Sequence, residues 1–128
     1  MNIARSFVQY LEDNGWATFG DDIFIGGVPQ EAPDTCWWVV LSGGTSENKY
    51  ITGENVKNYR LNLYYRSRDT QAVYDELSDL EVELNNSCPQ LDDYTVISIS
   101  TLVYPTDLDL DVEDRTVGML EVNIQVYS

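Results

Sequence analysis

The chain has 128 residues, 43% of them hydrophobic and 12% aromatic, enough apolar side chain for one compact core and too little length for two. Acidic residues outnumber basic ones 22 to 7, histidine is absent, and the net charge is −15. Such a molecule is repelled by nucleic-acid phosphate, and without imidazole it lacks Ser-His and Cys-His pairs, the usual general base and His-rich transition-metal sites. Apolar periodicity from end to end predicts a folded acidic surface rather than a disordered acidic tail. No apolar run approaches the roughly 20 residues that span a bilayer, and Met1-Asn2-Ile3-Ala4-Arg5 leads into an amphipathic segment, so a soluble, intracellular protein without a membrane partner is expected. Cys36 in an apolar run and Cys88 in a loop before Pro89 fit reduced thiols better than a disulfide framework.

Asn2 is placed to cap a first helix with Ile3, Phe7, Tyr10 and Leu11 on one face, and Gly15 stops it. Ile23-Phe24-Ile25 reads as a short strand closed by Gly26-Gly27, and Pro29 to Asp34 as a loop. Cys36 to Leu41 is apolar on both faces, as suits a strand inside a sheet, with Trp37 and Trp38 pointing to opposite sides. Gly43 to Gly53 reads as a long polar loop. From Val56 to Arg68 the pattern alternates, Tyr59, Leu61, Leu63 and Tyr65 facing the core and Asn58, Arg60, Asn62, Tyr64, Arg66 and Arg68 facing out. Asp69 caps a second helix striped by Val73, Leu77, Leu80 and Leu84 and ended by Asn85-Asn86 and Pro89. Tyr94 to Tyr104 and Arg115 to Tyr127 are the last strands, the latter with Gly118, Leu120, Val122, Ile124 and Val126 inward. The order α-β-β-β-α-β-β predicts a single α+β domain over residues 1–128, a mixed sheet with two helices packed on one face.

Catalytic chemistry has little to build on. Carboxylate pairs alone do acid/base work only when held across a cleft with separated pKa values, so no enzyme and no cofactor is expected. Gly26-Gly27 and Gly43-Gly44 do not continue into a phosphate-binding motif and read as turns. Asp107, Asp109 and Asp111 open like an EF-hand loop, but position six is Val112 where Gly is needed, and position twelve is Gly118 where a bidentate Glu is needed. The stretch therefore reads as a solvated hairpin loop, with at most a weak, nonspecific divalent-ion site.

Charge placement carries more. The second helix holds Asp75, Glu76, Asp79, Glu81 and Glu83 with no Lys or Arg from Asp69 to Asn85, while Lys57, Arg60, Arg66 and Arg68 cluster on or beside one strand. Solubility accounts for this segregation on one reading. On the other, Arg60, Arg66 and Arg68 of one subunit meet Asp75, Glu76 and Asp79 of the next in a head-to-tail contact that closes into a ring.

The amino-terminal helix, "DDIFIGGVPQEAPDTCWWVVLSGG", the Gly/Thr/Ser stretch followed by "YRLNLYYRSRD", and "AVYDELSDLEVEL" together resemble small minor capsid and tail-terminator proteins of long-tailed bacteriophages over nearly the whole chain. The resemblance implies a non-enzymatic virion part of the tail or neck, assembled in the host cytoplasm. Its implied form is a homo-oligomeric ring, commonly a hexamer, that caps the tail-tube protein and joins it to the head connector or stopper. DNA would pass through without specific binding, and Asp107, Asp109, Asp111, Glu113 and Asp114 would supply an acidic channel or hairpin over which the duplex slides. Thr45, Ser46, Glu47, Asn48, Lys49 and Tyr50 would meet tube or connector. Two other classes stay open on the residues alone: an acidic DNA-mimic inhibitor of a DNA-binding enzyme, and an enzyme working through acids only.

Overall fold

The computed structural model describes residues 3–47, 56–86, 91, 95–103, 109–110 and 115–127. In chain order the elements are α1 (Ile3–Asp13), β1 (Ile23–Ile25), β2 (Cys36–Glu47), β3 (Val56–Ser67), α2 (Thr70–Asn86), β4 (Thr95–Val103), β5 (Asp109–Leu110) and β6 (Thr116–Tyr127). The expected order holds, with the two-residue β5 added. The sheet runs β1-β2-β3-β6-β4, with β5 paired to β6 beyond β4. It is mixed because β1 runs parallel to β2 while every other pair is antiparallel.

Local chemistry sets the ends of the helices. Gly15 takes φ +79°, donates to the Glu12 carbonyl and lets Trp16 donate to that of Leu11 at 2.9 Å, the bond pair of a Schellman close. Asp69 Oδ1 accepts from the backbone N–H groups of Gln71 and Ala72 at 3.0 and 3.4 Å, satisfying two of the four amides that open α2. The cap foreseen at Asn2 lies outside the described residues.

Strand alternation then divides the sheet into two unlike faces. Ile23, Trp37, Val39, Leu61, Leu63, Tyr65, Leu120, Val122, Ile124 and Val126 are buried in one cluster with Phe7 and Leu11 of α1 and with Val73, Leu77, Leu80 and Leu84 of α2. Both helices therefore cover the same face. The opposite face carries Trp38 stacked on Tyr64 at 5.2 Å and 9° between planes, so one tryptophan of the pair is core and the other lies half-buried on the helix-free side.

One expectation is corrected. Gly43 to Glu47 is strand, not loop: β2 continues past a bulge between Leu41 and Gly43, and Gly43, Gly44, Thr45, Ser46 and Glu47 pair with Arg60, Tyr59, Asn58, Lys57 and Val56. Polar composition hid it, because ladder hydrogen bonds join backbones and need no apolar side chain. Residues 48–55 lie outside the described part.

Candidate functional site

The bases of β3 are engaged within their own chain. Arg60 Nε lies 2.8 Å from Glu121 Oε1 on the neighbouring strand of the helix-free face. Arg66 belongs by parity to that face but is 8% exposed. Its guanidinium donates to the backbone carbonyls of Pro33 at 2.7 Å and Asp34 at 3.2 Å and lies 6.0 Å from the Trp38 ring centre. Arg68 Nε meets Asp34 Oδ2 at 2.8 Å, and Arg115 Nη1 meets Asp34 Oδ1 at 3.2 Å. Three arginines thus staple the Pro29–Asp34 loop to the sheet. The Arg68 hydrogen bond, with Arg115 behind it, holds the Asp34 carboxyl below the usual aspartate range.

Acids of α2 divide by position. Glu83 Oε2 accepts from the Tyr10 hydroxyl at 2.9 Å and the Trp16 indole N–H at 3.0 Å, joining α2 to α1 and the segment after it. Asp75 and Asp79 are exposed. Glu76 is half-buried, and burial, reinforced by Asp79 and Asp75, pushes its carboxyl up. Burial first, and the Glu76 carboxylate next, push the Tyr65 hydroxyl to about 12, so it stays neutral. The structure brings Asp75, Glu76 and Asp79 together on one helix but places them across the sheet from Arg60.

The remaining candidates are less fully described. Thr45, Ser46 and Glu47 end β2, while Asn48, Lys49 and Tyr50 lie outside the described residues. Asp109 is in β5 opposite Val117, and Asp107, Asp111, Glu113 and Asp114 are outside the described residues. A cavity of about 290 Å³ is lined by Gly20, Asp21, Phe24, Pro29, Glu31, Ala32 and Pro33, its titratable groups being two carboxylates without a nucleophile or an imidazole beside them. Among the described residues no helix is long and apolar enough to cross a membrane.

Two structural residues escaped the sequence reading. Asp34, in a Pro-rich loop, carries no periodic signal and is defined only by the arginines that converge on it. Glu83 had one clue, since the polar tips of Tyr10 on α1 and of Trp16 just after it need an acceptor when partly buried.

Comparison with known proteins decides what kind of part this is. The family model described as bacteriophage tail terminator protein matches residues 10–128. The chain belongs to the bacteriophage tail terminator family. Among solved structures, a chain of the virion of a native gene transfer agent particle superposes with a TM-score of 0.66 at 9% identity, covering 98% of this chain and 95% of that one, which shows a shared fold. A search of curated proteins finds no match. The chain is thus a structural component of a phage virion, and Asp34, Arg66 and Glu83 make contacts that hold its own fold together.

Proposed function

We propose that the protein forms a closed, head-to-tail ring, with six subunits as the expected number, that caps the finished tail tube and joins it to the head connector or stopper. DNA passes through the ring without specific binding. The observation that carries this reading is the family match over residues 10–128, joined to the state of the charges. Arg60, Arg66, Arg68 and Arg115 are tied to groups of their own chain, leaving a surface dominated by carboxylates that gives phosphate little to hold. The acidic stretch Asp107 to Asp114 belongs at the channel on this reading. Thr45 to Tyr50 is the segment assigned on this reading to the contact with tube or connector. Arg60 and Arg68 on one side and Asp75, Glu76 and Asp79 on the other are outlying contacts between neighbours; buried Arg66 is assigned to the fold of each subunit.

Electron microscopy of the protein mixed with the tail-tube protein of the same phage tests the reading. Rings that arrest tube growth are expected. Uncapped, lengthening tubes beside dispersed monomers would refute it.

A further inference from the structure

Among the described residues the sheet has two uncovered edges, and they match. On one side β1 pairs only with Trp37, Trp38 and Val39 of β2, so the β2 backbone from Val40 to Glu47 has no strand on its outer side among the described residues. On the other side β5 pairs with Thr116 and Val117 of β6, leaving β4 as the outer strand alongside Glu121 to Tyr127. Followed through the ladders, Glu47, Val56, Tyr127 and Thr95 form one row across the sheet. Gly44, Tyr59, Ile124 and Ile99 form another, and Val40, Asn62, Glu121 and Val103 a third. The two open stretches therefore lie at the same height on opposite sides of the sheet, while β1 and β5 close the other end of each side.

Direction and composition agree with the match in height. Three successive antiparallel pairings, β2 with β3, β3 with β6 and β6 with β4, make β2 and β4 run in opposite senses. A copy related by rotation about an axis along the strands would set its β2 beside β4 in antiparallel sense, continuing the sheet. In a chain with 23% charged residues, β4 (TVISISTLV) contains no charge and no proline, and neither does Val40 to Ser46. Charge and proline are two of the devices by which edge strands avoid pairing; a third, the bulge, falls between Leu41 and Gly43 of β2 and at Val96/Ser98 and Thr101/Val103 of β4, leaving Ser98 to Thr101 as a regular run. Leu41 shares a face with fully buried Leu61 yet is 49% exposed, an apolar side chain left at the uncovered edge. A twofold pairing of β2 with β2 would leave both β4 edges open, whereas head-to-tail pairing satisfies every edge of a closed ring.

We infer that the subunits of the ring are joined by edge-strand pairing, Ser98–Thr101 of β4 of one copy adding antiparallel to the open part of β2 (Val40–Glu47) of a second copy. This rests on the ring reading and specifies its contact. The regular run of β4, Ser98 to Thr101, then lies nearest Leu41 to Thr45 of the neighbour.

Cysteine cross-linking in a Cys88→Ser background tests it, at concentrations where light scattering reports rings, alone or on the tail-tube protein of the same phage. Thr45→Cys mixed with Ser98→Cys or Ser100→Cys should give disulfide dimers, and both changes in one chain should give a ladder of multimers. Neither single variant alone should cross-link. Hydrogen exchange needs no register, and amides of Gly43–Glu47 and Ser98–Thr101 should slow together on assembly. Rings that show neither cross-links nor slowed exchange overturn the edge contact and leave the ring standing. Cross-links from Thr45→Cys alone mean a twofold contact and overturn it as well. Protein that stays monomeric at every concentration and on the tube overturns ring and edge contact together.

Discussion

Glu83 and Arg66 show what single charged side chains do in a molecule with so many of one sign. Glu83 is one of 22 acids, but it alone receives both the Tyr10 hydroxyl and the Trp16 indole. Glu83→Ala removes the acceptor shared by the Tyr10 hydroxyl and the Trp16 indole, and a loss of about 1.5–3 kcal/mol is expected from urea unfolding followed by tryptophan fluorescence. A change below about 0.5 kcal/mol would mean that water replaces the carboxylate at no cost. Arg60 and Arg66 sit six residues apart on one strand face and differ in burial. Arg60→Glu disrupts an exposed pair with Glu121, for a cost up to about 1 kcal/mol. Arg66→Glu sets a carboxylate against the Pro33 and Asp34 carbonyls in a buried position, and about 3–5 kcal/mol should be lost. Paired thermal melts of the two variants check the contrast. Similar melting temperatures would show that the loop staple contributes nothing.

At the scale of elements, α2 joins an apolar stripe to an unfavourable charge pattern. Its last turn holds no base to offset the helix dipole, and Asp75, Glu76 and Asp79 crowd one another. Because the folded state raises the Glu76 pKa, stability associated with this group is fully present below the ordinary glutamate range and lost as pH rises through the raised value. Glu76→Gln, which imitates the protonated form, should match the parent near pH 3 and exceed it by about 0.2–0.5 kcal/mol near pH 7. Melting curves at the two pH values decide, and equal gains at both would assign the effect to packing. The stripe itself was legible in the sequence because helical period and burial coincide at Val73, Leu77, Leu80 and Leu84, and β3 and β6 were legible because their inward residues alternate. Gly43 to Glu47 was not legible, since its strand state comes from the backbone of β3. Nor was β5, two residues held by β6. The candidate site was readable only as a charge pattern. That Arg66 turns inward depends on the Pro33–Asp34 carbonyls reaching it from another part of the chain, a long-range fact that strand parity does not contain.

For the whole molecule, the question is how copies at −15 each come together. Opposite-charge pairing needs available bases, and Arg60, Arg66, Arg68 and Arg115 already have partners at home. Edge pairing draws instead on uncharged backbone at Val40–Glu47 and Ser98–Thr101, and what opposes it is repulsion between like-charged subunits. These two contacts respond to salt with opposite sign. Screening weakens a contact made of ion pairs, while it relieves the general repulsion and leaves ladder hydrogen bonds nearly unchanged. Raising ionic strength from about 0.05 to about 0.5 M shortens the screening length from roughly 14 to roughly 4 Å, well inside the spacing between neighbouring subunits. Ring formation should therefore shift to lower protein concentration as salt rises, measured by sedimentation velocity across a dilution series. A shift to higher concentration would mean that intersubunit ion pairs dominate, with Arg60 or Arg68 turned from its own chain to acids such as Asp75 and Asp79 of the next.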